Sequence, residues 1–165
     1  MTISSYRIVT FNTQFDRQAF CSNSEPLNQY LKTQVSQDIK RRISTCYLAV
    51  TQQDSIAGYY TLAANSILLT DLPDTIRKKM PRYPTVPAVL MGRLAIDKSH
   101  LRKGLGSALL VDALKRANNA EMAVYALIVD AKDDNAKDFY SHFGFIPFKE
   151  QSHKLFYPLA NLTHL

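Results

Sequence analysis

Apolar and polar positions along this chain switch between two periods, and the switches mark out its elements. Residues 5–10 alternate weakly and predict an edge strand. Residues 11–23 are irregular. Ser24-Glu25-Pro26 has the form of a helix start: a capping hydroxyl, an acid in the first turn, and a proline whose missing N–H costs nothing there. Leu27, Tyr30, Leu31, Val35 and Ile39 then fall at helical spacing, which predicts one helix or a broken pair. Residues 45–51 and 56–64, on either side of the polar Gln52-Gln53-Asp54, predict a hairpin, and residues 65–69 continue extended. A short helix is expected over 74–79. Pro84 and Pro87 mark an irregular passage into a central apolar strand, 89–96. The period returns to helical over 104–117, with Leu105, Ala108, Leu109, Val111, Ala113 and Leu114 on the apolar side. Residues 124–129 are continuously apolar, as in a strand buried on both faces. A helix over 133–143 is closed by Gly144, and strands at 145–148 and 154–157 follow. The order β–α–α–β–β–(α)–β–α–β–α–β–β predicts an α/β (α+β) fold without repeats or linkers.

The chemistry concentrates in residues 90–114, LMGRLAIDKSHLRKGLGSALLVDAL. A strand feeds a polar, basic loop that passes through Gly104-Leu105-Gly106 directly into a helix. The first turn of a helix leaves backbone N–H groups unpaired, and the helix dipole places partial positive charge there. Glycines let an anion approach those amides with no Cβ in the way. Arg102 and Lys103 add charge beside them, and Ser107 follows. The pattern lacks the Gly-Lys-Ser/Thr ending of a P-loop and the third glycine of a dinucleotide fingerprint. From spacing alone, a pyrophosphate cradle and a tight strand-to-helix turn stand as alternatives.

Length and charge narrow the field only modestly. At 165 residues the chain is expected to form one domain, 1–165, with a substantial core. A net charge of +6 favours anionic partners without separating a small phosphorylated ligand from RNA. Arg77, Lys78, Lys79 and Arg82 form the densest basic group, readable as a nucleic-acid or phosphate contact or as a solvated loop. Lys40-Arg41-Arg42 reads as a solvated helix C-terminus, where cations suit the dipole, or as a partner surface. Cys21 and Cys46 lack zinc-binding spacing. His100, His142, His153 and His164 share no spacing and read as surface or packing residues. The N-terminus does not have the form of a secretion signal, and no apolar run of about 18 residues predicts a membrane span. A cytoplasmic protein with reduced thiols is the expectation.

Two motifs carry a family resemblance. LAID…LRKGLGSALL resembles the acetyl-CoA-binding segment of the GNAT N-acetyltransferases, whose pattern is Arg/Gln-x-x-Gly-x-Gly/Ala. Gly104 and Gly106 match its glycines, whereas its first position falls on Leu101, a departure. The downstream signature is met by Asn135, Ala136, Phe139-Tyr140 and Gly144-Phe145. The resemblance implies a GNAT fold, a mixed sheet with helices on both faces, splayed between two central parallel strands at 89–96 and 124–129. It implies acetyl-CoA as cofactor, with its pyrophosphate on Arg102, Lys103, Gly104, Leu105, Gly106 and Ser107. The pantetheine arm would pair with the backbone of Leu94, Ala95 and Ile96 like an added strand.

Acetyl transfer from a thioester needs a neutral amine, a donor for the tetrahedral oxyanion and a proton for the departing thiolate. A tyrosine, ordinarily titrating near ~10, keeps its proton at neutral pH and can supply it. The resemblance assigns that role to Tyr140; the residue pattern alone also fits a core aromatic among Phe139, Phe143 and Phe145. A backbone N–H of Leu94 or Ile96 is the candidate oxyanion donor. Asn135 reads as a CoA contact or a helix cap. Arg93, which interrupts the apolar strand, reads as an anion contact on the substrate side or a paired structural arginine.

The N-terminal half adds a second resemblance. Phe20-Cys21, Leu27, Tyr30-Leu31, Gln37-Asp38, Arg42, Tyr47-Leu48-Ala49-Val50 and Gly58-Tyr59-Tyr60 are similar to the GNAT toxins of bacterial toxin–antitoxin pairs. Gly92-Arg93-Leu94-Ala95 and Ala131-Lys132-Asp133-Asp134 extend the likeness. It implies acetylation of the α-amine of aminoacyl-tRNA, a block on translation, a ribbon-helix-helix antitoxin and a homodimer. An α-amine titrates near ~8, so it needs no strong base, and none stands out here. Two rivals remain: a GNAT enzyme for a small amine or protein N-terminus, and a non-catalytic CoA- or RNA-binding module.

Overall fold

The computed structural model describes residues 5–162. Seven strands among them, β1 (Tyr6–Thr10), β2 (Thr45–Thr51), β3 (Ile56–Leu68), β4 (Thr85–Ile96), β5 (Ala126–Asp130), β6 (Ile146–Pro147) and β7 (Lys154–Pro158), form a sheet in the order β1-β2-β3-β4-β5-β7-β6. The helices are α1 (Glu25–Gln29), α2 (Val35–Lys40), α3 (Asp74–Arg77), α4 (Leu105–Asn118) and α5 (Asp134–Phe143). β4 and β5 run parallel, while β1–β2, β2–β3, β5–β7 and β6–β7 are antiparallel. This is the expected mixed sheet with a central parallel pair. No helix among the described residues is long and apolar enough to cross a membrane.

The chain forms two compact units. One comprises residues 5–63 and 92–113, the other 64–91 and 114–162, so β3 and β4 each run through both.

In the first unit the predicted cap is present: the Ser24 hydroxyl accepts from Leu27 N–H at 3.4 Å, and Pro26 sits in the first turn. The helix then widens. Over Tyr30–Gln34 it is a π-helix, and Val35 N–H reaches back to the Tyr30 carbonyl. The chain re-enters α geometry as α2, so the expected break is a wide turn rather than a gap. Phe20, Tyr30, Leu31 and Val35 pack with Leu48, Val50, Tyr59 and Ala95 into a continuous core. Gly58 in β3 is a point of close approach. A Cβ there would stand 3.0 Å from the Ala95 carbonyl oxygen, 3.0 Å from Ile96 Cδ1 and 3.2 Å from Leu109 Cδ1 of α4. Cys46 is buried in the same core, and burial pushes its thiol up to about 12, whereas Cys21 is exposed.

In the second unit, Ala88–Met91 of β4 register with Ala126–Val129 of β5, and those four β5 residues are buried. That explains their continuous apolar run. Ile67, Leu72, Val86, Ile128, Phe148 and Phe156 form the core. Helix α5 is capped by Asp133, whose carboxylate accepts from Ala136 N–H at 2.8 Å. It ends on Gly144 at φ 103°, the left-handed geometry that favours glycine.

Some boundaries differ from expectation. Pro87 lies inside β4, which begins at Thr85 rather than at 89. Its carbonyl still accepts from Tyr125 N–H at 2.8 Å, and the β4–β5 register starts one residue later, so the missing N–H breaks no registered β5 pair. Correspondingly β5 starts at Ala126, not 124. Helix α3 stops at Arg77, not 79, because Lys79 and Met80 bond to carbonyls three residues back and tighten the last turn.

Candidate active site

The glycine loop is built from the end of β4. Asp97 follows the strand and folds the chain back: one carboxylate oxygen accepts from Ser99 N–H at 2.9 Å and Ser99 Oγ at 2.6 Å. Its other oxygen takes Cys21 N–H at 2.9 Å, and Lys98 N–H bonds the Cys21 carbonyl at 2.8 Å. Burial opposes the Asp97 charge, but the Ser99 hydroxyl and the N–H groups of Cys21 and Ser99 outweigh it and hold the carboxyl below its ordinary value. The loop therefore leaves a fixed post. The sequence reading passed over Asp97, although Asp-x-Ser is a local turn signal.

Beyond that post the backbone turns left-handed at Arg102 (φ 62°) and again at Gly104 (φ 77°) before α4 begins. The Ala108 N–H to Gly104 carbonyl bond, 3.1 Å, opens the helical ladder. The N–H groups of Leu105, Gly106 and Ser107 precede it and have no intrahelical acceptor. At Gly104 and Gly106 nothing stands within 4 Å of where a Cβ would be. At Gly106 neither φ nor packing requires a glycine, so what its missing side chain leaves is room. Arg102 and Lys103 are exposed beside that room. The arrangement is a tight strand-to-helix turn that also leaves room for an anion at its free N–H groups. Leu101, the departing position, is an exposed loop residue.

Upstream, β4 carries Leu94, Ala95 and Ile96 on the first unit. For these three no parallel partner strand is registered among the described residues, because the β4–β5 ladder covers Ala88–Met91. Arg93 sits over the face of Tyr30, its guanidinium carbon 3.5 Å from the ring centroid. Tyr30 in turn stacks on Tyr59 at 6.4 Å and donates to Asp38 Oδ2 at 2.7 Å. Arg93 is held on that aromatic face, and its charge also reaches Asp38 behind the ring and helps to lower that carboxyl, so the structural-arginine alternative stands beside the anion contact. A cation over a ring face is attracted by the ring's quadrupole without using up its N–H donors.

Tyr140 lies in α5 of the second unit. Its ring is buried among Phe139 at 5.3 Å and Phe145 at 5.4 Å, with Tyr157 next to Phe145. Its hydroxyl is different. No group among the described residues hydrogen-bonds it, and it is not a sealed, unsatisfied atom, so it reaches solvent. Burial of the ring, and secondarily the charge of Asp130, push the hydroxyl up to about 12. It keeps its proton throughout the physiological range. Asn135 is exposed at the second helical position of α5. The cap is Asp133, so the capping alternative for Asn135 falls away.

The predicted basic residues lie together on the second unit. Arg77 Nη2 donates to Asp74 Oδ1 at 3.2 Å, and Lys149 Nζ donates to the same oxygen at 3.1 Å. Lys78, Lys79 and Arg82 have no ion-pair partner among the described residues. Arg77, Lys78 and Arg82 line a groove of about 660 Å³ with Met80, Pro81, Tyr83 and Pro84. Lys40, Arg41 and Arg42 end α2 in solvent-facing positions, with Arg42 at φ 61°. The histidines do not cluster: His100 Nδ1 shares a 2.7 Å bond with the Tyr6 hydroxyl, and His153 Nε2 sits 2.8 Å from Asp134. His142 is in the last turn of α5, and His164 lies outside the described residues.

Against known proteins, residues 13–156 match the family described as "Acetyltransferase (GNAT) domain". The chain belongs to the GNAT acetyltransferase family. Among its relatives is a tRNA-acetylating toxin of Mycobacterium tuberculosis, 36% identical over 133 residues that cover 79% of this chain and 78% of that protein. The GNAT chain also superposes on AtaT complexed with acetyl-methionyl-tRNA, with a TM-score of 0.87, 31% identity and coverage of 95% of this chain and 96% of that one. A Tyr-to-Phe variant of KacT gives 0.88 and 32%, covering 96% and 99%. A Tyr-to-Phe variant of AtaT bound to acetyl-CoA and the C-terminus of the antitoxin AtaR gives 0.80 and 26%, covering 96% of each chain.

Proposed function

We propose that this GNAT enzyme transfers acetyl from acetyl-CoA to the α-amine of aminoacyl-tRNA and acts as the toxin of a toxin–antitoxin pair. The observation that carries this is the likeness, across most of the chain, to a tRNA-acetylating toxin and to AtaT with its acetylated tRNA. The cofactor supplies an acetyl group activated as a thioester. Backbone N–H groups of Leu105, Gly106 and Ser107, with Arg102 and Lys103, hold its phosphates. The backbone of Leu94, Ala95 and Ile96 pairs with its arm, and the N–H of Leu94 or Ile96 faces the developing oxyanion. Asn135 is a further cofactor contact.

Tyr140 donates its O–H to the departing sulfur as a hydrogen bond while charge develops there; a hydroxyl that stays protonated and has no other partner among the described residues suits the task. Arg77, Lys78, Lys79, Arg82 and Arg93 contact the tRNA. An α-amine is substantially neutral near pH 8, consistent with a site that offers a donor and no evident base. The partner that silences the enzyme is a ribbon-helix-helix antitoxin, the working form is a homodimer, and the place of action is the cytoplasm, where charged tRNA is found.

The test is transfer of labelled acetyl from acetyl-CoA to a pool of charged tRNA, beside uncharged tRNA and a panel of free amines. Label on charged tRNA alone, lost in Tyr140→Phe, is the expected outcome. Label on free amines but not on tRNA would keep the family and discard the toxin assignment.

A further inference from the structure

We infer that the groove beside α3 is a stacking site for an unpaired nucleobase, with Tyr83 as its platform. The inference deepens the aminoacyl-tRNA reading and rests on it for the identity of the strand. Tyr83 is 64% exposed, unusual for so large an aromatic side chain in a chain whose core absorbs Tyr59 and Tyr60 completely. It stands in the segment Pro81-Arg82-Tyr83-Pro84, where Tyr83 N–H closes a tight turn onto the Pro81 carbonyl at 2.9 Å. Proline on both sides restricts that backbone, and the residue before a proline is itself confined to extended geometry. The Pro84 carbonyl is tied to Leu69 N–H at 3.1 Å, so the segment is anchored to the end of β3. The backbone that carries the ring is thus restrained before any ligand arrives.

The surroundings select the ligand class. The groove, about 660 Å³, lies within the range of small-molecule sites and has room for a nucleotide. Arg77, Lys78 and Arg82 line it. Asp74 is already shared by Arg77 and Lys149, whereas Lys78 and Arg82 have no carboxylate partner among the described residues. Unpaired cations around an exposed aromatic face are what a single-stranded nucleic acid needs: charge for its phosphates and a π-face for its base. An acidic polypeptide would use the charge and could pack an apolar side chain on the ring, but it does not pair a π-face with every charge along its length as a nucleotide strand does. A duplex would offer phosphates but no free base face. The occupant assigned is therefore an unpaired nucleotide, as at a single-stranded RNA end.

The chain contains no Trp, so Tyr83→Trp introduces a single reporter at the site. The full-length variant is titrated with a short single-stranded RNA, the same RNA as a duplex, heparin and polyglutamate. Stacking predicts that indole fluorescence is quenched by the single strand and not by heparin or polyglutamate. Tyr83→Ala should weaken single-strand binding by roughly 5- to 150-fold without changing the salt slope, and Tyr83→Phe should restore it. Arg82→Gln should instead lower the salt slope by about one. Unchanged affinity in Tyr83→Ala, or equal quenching by heparin, overturns the inference; tight binding of polyglutamate with equal quenching assigns the groove to an acidic protein partner instead. These titrations use uncharged RNA and no acetyl-CoA, so they are independent of catalysis. Acetylation of charged tRNA without stacking rejects the groove alone. Stacking without acetylation of charged tRNA supports the groove and rejects the function proposed above.

Discussion

Replacing Tyr140 by Phe removes one oxygen that no other described group hydrogen-bonds, from a ring that stays packed against Phe139 and Phe145. Its effect on rate can be worked from the position of the hydroxyl. A proton passed from a group held at about 12 to a thiolate near ~8.5 climbs ~5 kcal/mol. Completed transfer ahead of C–S cleavage is therefore unfavourable, and Tyr140 acts mainly by donating a hydrogen bond to the sulfur as charge develops. Hydrogen bonds to charged partners contribute about 1.5–3 kcal/mol. The variant should lose roughly 10- to 150-fold in kcat, with the KM for acetyl-CoA and the unfolding midpoint close to those of the parent. The assay is initial-rate release of CoA thiol, with the denaturant midpoint measured on the same preparations. A loss of 10⁴-fold or more would mean that full proton transfer limits the rate, and the hydrogen-bond argument would be wrong. A drop in the unfolding free energy of several kcal/mol would mean that the hydroxyl holds the fold.

The same raised hydroxyl shapes the pH profile. Activity needs Tyr140 protonated, so it falls as pH rises through that group, and burial moves the fall from near ~10 toward about 12. The rate should climb through the acceptor amine near ~8 and stay level to about pH 10.5; a descending limb centred near 10 would contradict this. Gly58→Ala places a methyl 3.0 Å from the Ala95 carbonyl oxygen and Ile96 Cδ1. It should cost about 1–3 kcal/mol by denaturant unfolding, and an unchanged midpoint would show that β4 yields freely. Gly106→Val meets nothing in the protein within 4 Å. It should leave the unfolding free energy within about 1 kcal/mol yet raise the KM for acetyl-CoA at least about tenfold, and an unchanged KM would place the phosphates elsewhere.

What the sequence made legible was local. Ser24 and Gly144 punctuate helices through atoms a few residues away, and β2 follows from its run of β-formers, so these elements lie where the pattern put them. The glycine loop was readable because a strand, a basic turn and a helix start are contiguous. Misplaced boundaries came from partners distant in sequence. Pro87 looked like a breaker until Tyr125 supplied a donor to its carbonyl. Asn135 stayed open between a cofactor contact and a cap because two adjacent acids and an amide compete for the cap, and geometry chose Asp133 for it. No spacing rule brings Arg93 onto Tyr30, or Cys21 onto Asp97; both contacts depend on the finished sheet. Tyr83 was invisible for the opposite reason, since exposure is a property of the folded surface and not of residue type.

The π turn at Tyr30–Gln34 has a consequence for how this chain tolerates changes in length. Tyr30 and Asp38 are eight residues apart and hydrogen-bonded. In an uninterrupted α-helix such a pair is about 80° out of phase, whereas residues seven apart are within about 20°. The wide turn absorbs one residue, so eight positions do the angular work of seven. Excising a single residue from its solvent side, Lys32 or Thr33, would let the segment close into ordinary α-helix with Tyr30 still under Arg93 and still facing Asp38. A deletion that would rotate everything downstream in most helices is here geometrically silent. Chains one residue shorter, with the tyrosine and the aspartate seven apart, are thus mechanical equivalents of this one, joined to it by a single codon.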